Sequence, residues 1–204
     1  MLPEGLVLGL DAAGPLYSLA LADGEKVLAS KHSEARHGRA EILFPDLREL
    51  LRSSRCEVTD LVAIGVNTGP GDFTGARLGV AAARGLAMSL GIPAIGIGAF
   101  DLLTPDAPPG SLAVVTGGRQ FVHARLLPDG LPARQALDGL SQRFPEVRAV
   151  VGQEPDAVAA LLGARAIRPQ EMPGPALARI ARARLPHAGG RPTPSYLGPA
   201  ASPK

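Results

Sequence analysis

The sequence predicts an α/β fold in two lobes, and three observations carry that reading. Three short apolar runs open the chain, two strand-to-helix steps follow them, and a proline-rich stretch then interrupts the pattern. Residues 6–10 (LVLGL) are an apolar run ending in Asp11, after which AAGP supplies a turn. Residues 17–22 and 26–30 read as strands joined across Asp23-Gly24, a dipeptide that tolerates the left-handed backbone of a tight hairpin. Residues 39–54, RAEILFPDLRELLRSS, put Leu43, Leu47, Leu50 and Leu51 on one stripe and Glu41, Arg48, Glu49 and Arg52 off it. That is an amphipathic helix, whose main body Pro45 starts or kinks. The unbroken apolar run 61–66 suits a buried strand, and 93–98 reads as the next one.

Between those two strands lies the most informative stretch, 66–91, VNTGPGDFTGARLGVAAARGLAMSLG. It predicts a strand end, a turn built from Gly69, Pro70, Gly71, Asp72, Phe73, Thr74 and Gly75, and a helix over 76–90. Asp72 or Thr74 can accept hydrogen bonds from the first free N–H groups of that helix. Gly75, Gly79 and Ala83 lie four apart, so on a helix they share one small-residue face that another backbone could approach. A glycine loop before a helix also invites the reading of a phosphate cradle. Here Gly75 is followed by Ala76 and Arg77 where a Walker loop needs Lys, and Asp72 would repel a phosphate from inside the loop, so a structural cap is the better reading. Asp11, at the end of a buried strand, has two readings left open: a carboxylate kept for function, or a cap on its own turn through Gly14.

Residues 102–110, LLTPDAPPG, neither continue a helix nor enter a sheet, and are the expected hinge. The expected domains are therefore 1–101, a lobe of order βββαβα, and 102–204, a smaller lobe with a disordered tail. The second lobe has strands expected at 112–116, 121–127 and 147–151 and helices at 156–162 and 176–185. No repeat of the solenoid type is visible.

Composition excludes more than it names. The 204 residues are 46% hydrophobic, and 21 basic against 19 acidic side chains leave a formal charge of +2, too small a surplus to define a nucleic-acid protein. All basic residues but Lys26, Lys31 and Lys204 are arginines, a bias spread along the chain. Arg165, Arg168, Arg179, Arg182 and Arg184 give the C-terminal part a local basic character, but without interleaved aromatics a solvated helix face is preferred to autonomous RNA binding. Cys56 has no internal disulfide partner and no nucleophile's setting, and His32 beside Ser33 is adjacency rather than triad geometry. His32, His37, His123 and His187 have no metal-ligand spacing. With no charged leader and no apolar segment long enough to span a bilayer, a cytoplasmic protein without membrane association is expected.

The motif GPGDFTGARLGVAAARGLA, with the opening LVLGLDAAGPLYSLAL, resembles the TsaB (YeaZ) family, whose usual signature is GPGSFTG. RAEILFP at 39–45, PAIGIGAFDLL at 93–103 and PSYL at 194–197 are similar as well. The resemblance implies a two-lobed actin-like ATPase fold, each lobe a mixed sheet flanked by helices, with the second lobe reduced. It further implies a non-catalytic relative of TsaD that binds TsaD, with TsaE joining, in the formation of threonylcarbamoyladenosine at position 37 of tRNA. No cofactor of its own is implied; ATP or ADP and metal belong to TsaD and TsaE, and tRNA is met only through the complex. The partner surface it implies lies on the two first-lobe helices, at Arg39, Phe44, Arg48, Arg77, Gly79, Val80 and Ala83, and the same surface serves a homodimer when TsaD is absent. Ala12 and Ala13 replace the family's two hydroxyl residues after Asp11, Asp72 replaces Ser, Arg39 stands where many members have His, and the second lobe's DAR…EVY appears as 116–123, TGGRQFVH. The alternative is an autonomous actin-like ATPase or small-molecule kinase, in which Asp11 holds a magnesium-bound water.

Overall fold

The computed structural model describes residues 5–34, 38–117 and 120–197. Contacts divide the chain into two units, residues 1–98 with 171–195 and residues 99–170 with 196–204. The first unit is a sheet of β1 (Leu6–Asp11), β2 (Tyr17–Asp23), β3 (Lys26–Ser33), β4 (Leu61–Asn67) and β5 (Ala94–Ile97), in the order β3-β2-β1-β4-β5. Its helices are α1 (Arg39–Ser53), α2 (Phe73–Leu90) and α5 (Pro173–Arg184). Central β1 pairs antiparallel with β2 and parallel with β4, and every residue along it is buried. Both faces of such a strand need cover, which is why its sequence is a run rather than an alternation.

The two faces are covered by different means. On one, Leu6, Leu8, Leu10, Leu19, Leu21, Ile64 and Val66 pack with Leu43, Leu47, Leu50 and Leu51 of α1 and with Val80, Ala83 and Ala87 of α2. On the other, α5 lies against β1, β2 and β4 with backbone close to backbone. A Cβ added at Gly9 would stand 1.9 Å from Gly174 O, and one at Gly65 would stand 2.5 Å from Leu177 O. These glycines are the fit of the helix to the sheet. Ser18 Oγ accepts the Gly174 N–H at 3.0 Å and the Arg182 guanidinium donates to Gly5 O, fixing α5 at both ends.

That placement corrects one expectation. Sequence order places the helix at 176–185 in the second lobe, but α5 returns to the first sheet and supplies its second cover. The expected disordered tail falls largely on residues 198–204, outside the described residues.

The second unit is a sheet of β6 (Leu112–Thr116), β7 (Phe121–Leu126), β8 (Ala133–Ala136), β9 (Ala149–Val151) and β10 (Arg165–Ile167), with α3 (Leu140–Arg143) and α4 (Asp156–Leu162). The strand order β10-β9-β6-β7-β8 repeats that of the first unit, with an antiparallel meander on one side and parallel strands on the other. The repeat is structural and leaves no sequence period, because its connections differ in length. One face buries Leu112, Val114, Val122, Ala124, Leu140, Val147, Val150, Val158 and Ala159. The other packs with Phe100, Leu103 and Leu127. The proline-rich stretch expected as a hinge opens on two short 3-10 turns, Ala99–Leu102 and Thr104–Asp106.

Candidate functional site

The signature loop and the turn after β1 meet and are built on each other. Asp11 is fully buried; its Oδ1 accepts the N–H groups of Ala13 and Gly14, each at 2.8 Å, and its Oδ2 accepts the Asn67 amide at 3.0 Å. Burial pushes the Asp11 carboxyl above the ordinary carboxylate range, while those three hydrogen bonds and the nearby charge of Arg39 pull it back. Of the two readings of Asp11, the cap on its own turn is the arrangement found. Asn67 also accepts the Gly69 N–H at 2.8 Å through its Oδ1, so one side chain links the Asp11 turn to the start of the loop.

The carbonyls of the turn are engaged as completely. Arg39 is 5% exposed, and its guanidinium donates to Ala12 O at 2.6 Å, Gly14 O at 2.9 Å and Pro15 O at 3.1 Å. The expectation of Arg39 on a partner surface is therefore corrected. Gly38, at φ +74°, starts α1 beside the turn, and the first helical side chain reaches inward to carbonyls that would otherwise be poorly satisfied. Asp72 donates its N–H to Ala13 O at 2.8 Å and caps α2 by accepting the Gly75 N–H at 2.6 Å, as the sequence reading expected of a cap. The helix itself starts at Phe73, three residues before the expected position.

Gly71 and Gly75 are what allow this approach. A Cβ at Gly71 would lie 2.3 Å from Ala13 O, and one at Gly75 would lie 1.8 Å from Ala12 O. The loop's conformational freedom serves contact with the chain's own carbonyls, whose negative ends face the loop. Backbone N–H groups turned outward would suit an anion; these carbonyls do not.

The helix faces divide the remaining candidates. Gly79, Val80 and Ala83 are buried against the sheet, where a Cβ on Gly79 would stand 3.0 Å from Leu10 Cδ2 and 3.5 Å from Val66 Cγ2. Their expected role as partner-surface residues is corrected: the small face lets α2 settle onto β1 and β4, and no part of it is free. Phe44 and Arg48 on α1 and Arg77 on α2 are exposed. Phe73 is exposed too, with the Arg77 guanidinium 3.8 Å above its ring. A groove of about 520 Å³ follows α1, lined by Phe44, Leu47, Arg48, Leu51, Cys56 and Leu86 among others. Met88, the most exposed large hydrophobic of α2, is absent from the sequence-based candidates, although it falls outside the buried stripe of Gly79, Val80, Ala83 and Ala87.

The other candidate chemistry is dispersed. Arg168 pairs with Asp156 and Arg179 with Glu171 at the surface, while the buried Arg182 reaches Gly5 O, so each of these three arginines has a partner within the chain. His123 is buried on β7, and desolvation, then the Arg134 charge, lowers its pKa. His37, Gly118 and Arg119 lie outside the described residues. Among the described residues no three His, Cys, Asp or Glu side chains converge as metal ligands, and no helix is long and apolar enough to cross a membrane.

Two mixed sheets of one strand order, each flanked by helices, are a two-lobed actin-like fold. YeaZ from Pseudomonas aeruginosa superposes with a TM-score of 0.74 at 21% identity, covering 95% of this chain and 100% of that one. In sequence, residues 28–126 match the family described as TsaD, tRNA N6-adenosine threonylcarbamoyltransferase. An uncharacterised protein of Mycobacterium tuberculosis is 29% identical over 160 residues, 78% of this chain and 72% of that protein. The tRNA threonylcarbamoyladenosine biosynthesis protein TsaB of Escherichia coli is 35% identical over 91 residues, 45% of this chain and 39% of its own length. In sequence and in fold the chain is thus similar to proteins of the TsaB (YeaZ) family.

Proposed function

We propose that this protein acts in threonylcarbamoyladenosine formation on tRNA as a non-catalytic scaffold that docks TsaD, with TsaE joining the pair. The name of the Escherichia coli relative supports the pathway, and the matching family supports kinship with the transferase. The observation that carries the scaffold reading is the filled signature loop. Ala12 O and Ala13 O face the loop where a phosphate site needs N–H donors, and the donors of the turn are taken by Asp11. The chain then needs no nucleotide or metal of its own; ATP, ADP and metal belong to the partners, and tRNA is met through the complex in the cytoplasm.

The docking face is the outer side of α1 and α2, carried by Phe44, Arg48, Phe73 and Arg77. Exposed aromatic and arginine side chains beside an apolar groove are the composition from which interface hot spots are made. The same face serves a second copy of the chain when TsaD is absent. Gel filtration of the chain mixed with TsaD from the same source tests the reading. Co-elution at micromolar concentration that is lost in Phe44→Ala supports it; separate elution of the wild-type proteins contradicts it.

A further inference from the structure

Pro194 and Ser195, the first half of the PSYL segment, lead the chain against the signature loop. After α5 and the turn Leu185–His187, residues 190–195 read Gly-Arg-Pro-Thr-Pro-Ser, with two prolines that fix φ and keep the chain from coiling. Pro192 is buried beside β5, the edge strand of the sheet. A Cβ on Gly96 would stand 3.1 Å from Pro192 Cβ and 2.9 Å from Thr68 Cγ2, so the glycine makes room for the segment to lie down. Three residues later Ser195 donates its backbone N–H to Thr68 O at 2.7 Å.

Thr68 is the residue through which β4 becomes the loop. Its N–H and its hydroxyl both donate to Ile97 O, at 2.9 and 3.2 Å, which ties it to β5, and its carbonyl takes the Ser195 bond. Gly69 follows at φ +94°, a conformation that favours glycine, and a Cβ there would also come within 3.1 Å of Ser195 O. The loop is thus gripped on three sides: by the turn at Ala12 and Ala13, by the Asn67 amide, and by the C-terminal segment.

We infer that residues 192–195 form a strap that positions the signature loop, with the backbone N–H of Ser195 as its pin. The strap fixes where the chain enters α2 and so where Phe73 and Arg77 stand on the outer face. Only that last consequence rests on the proposed docking function; the grip on the loop is a property of the free chain. Ser195 is a positioning residue, and its side chain is dispensable.

Amide hydrogen exchange separates these roles. In Ser195→Ala the N–H remains, and exchange at Gly69 and Asp72 is expected to match the wild type. Ser195→Pro removes the donor and Gly96→Ala wedges the strap off β5; each is expected to speed exchange at those two amides about tenfold, with β1 amides unchanged. Exchange within twofold of wild type in Ser195→Pro overturns the inference, as does an equal effect of Ser195→Ala. Even loss of protection through β1 and β4 in both Ser195→Pro and Gly96→Ala overturns it too, because the segment would then be core and not a device of the loop. A parallel fall in affinity for TsaD extends the inference to docking. Failure of the wild-type chain to bind TsaD removes the docking function and leaves the exchange result to decide the strap.

Discussion

The two units run one strand order through helices of very different length. In the first sheet the connections carry α1, of 15 residues, and α2, of 18; at the same points of the second stand α3, of 4, and α4, of 7. A sheet of this order therefore closes with little helix, and the extra turns of α1 and α2 are not demanded by topology. What they add is surface: Phe44, Phe73 and Met88 stand outward on them. The first sheet is also sealed on its far side by α5 through glycine contacts. The difference assigns the proposed docking to the long helices, and rigidity to the sheet beneath them.

Substitutions can break that comparison. The largest effect is expected at Gly9→Ala, whose Cβ meets the Gly174 carbonyl, a backbone atom that cannot swing aside; a loss of about 3 kcal/mol or more in urea unfolding is expected. A near-neutral result would mean that α5 sits on the sheet less closely than the glycines indicate. Paired cavity mutants come next. Leu10→Ala under α2 is expected to cost about 4 kcal/mol and Leu140→Ala about 2, since a single turn of helix can settle into the space it leaves. Equal losses would erase the contrast in rigidity.

Asp11 gives a pH test within the first unit. Its folded pKa is raised from 3.8, so the folded state holds the proton more tightly than the unfolded chain does. Stability then falls as pH rises from about 4 through the raised value and levels above it. Asp11→Asn keeps an acceptor for Ala13 and Gly14 and is expected to lose that downward slope in denaturation measured across the range. An unchanged slope would assign the pH dependence elsewhere. Phe44→Ala is expected to change stability by no more than about 0.5 kcal/mol, its ring being half exposed, while weakening TsaD binding about tenfold. Smallest of all, Gly139→Ala in the second unit meets nothing within 4 Å and is expected to be neutral in the same unfolding assay.

The order βββαβα was legible because its runs and stripes are long. β8, α3 and β10, of four, four and three residues, fall below the length at which a period can be read. Which sheet α5 covers was hidden for another reason: the fit depends on Gly9, Gly65 and Gly174, far apart in sequence, and only their three-dimensional match shows it. At the site, the Asp72 cap followed from local chemistry, whereas Gly79, Val80 and Ala83 were assigned outward because a small-residue face fits a partner helix and its own sheet equally well. Arg39 was placed on the partner surface only by the family resemblance, and no local pattern tests that. Its three carbonyl acceptors lie 24 to 27 residues earlier, beyond any local pattern.

The filled loop is the centre of the account, and calorimetric titration of the purified chain alone with ATP and magnesium tests it most directly. No saturable heat is expected from the chain alone at micromolar protein, and heat is expected only once TsaD is added. Saturable one-to-one binding by the chain alone would contradict it and restore the reading of an autonomous actin-like ATPase or kinase with Asp11 beside the metal.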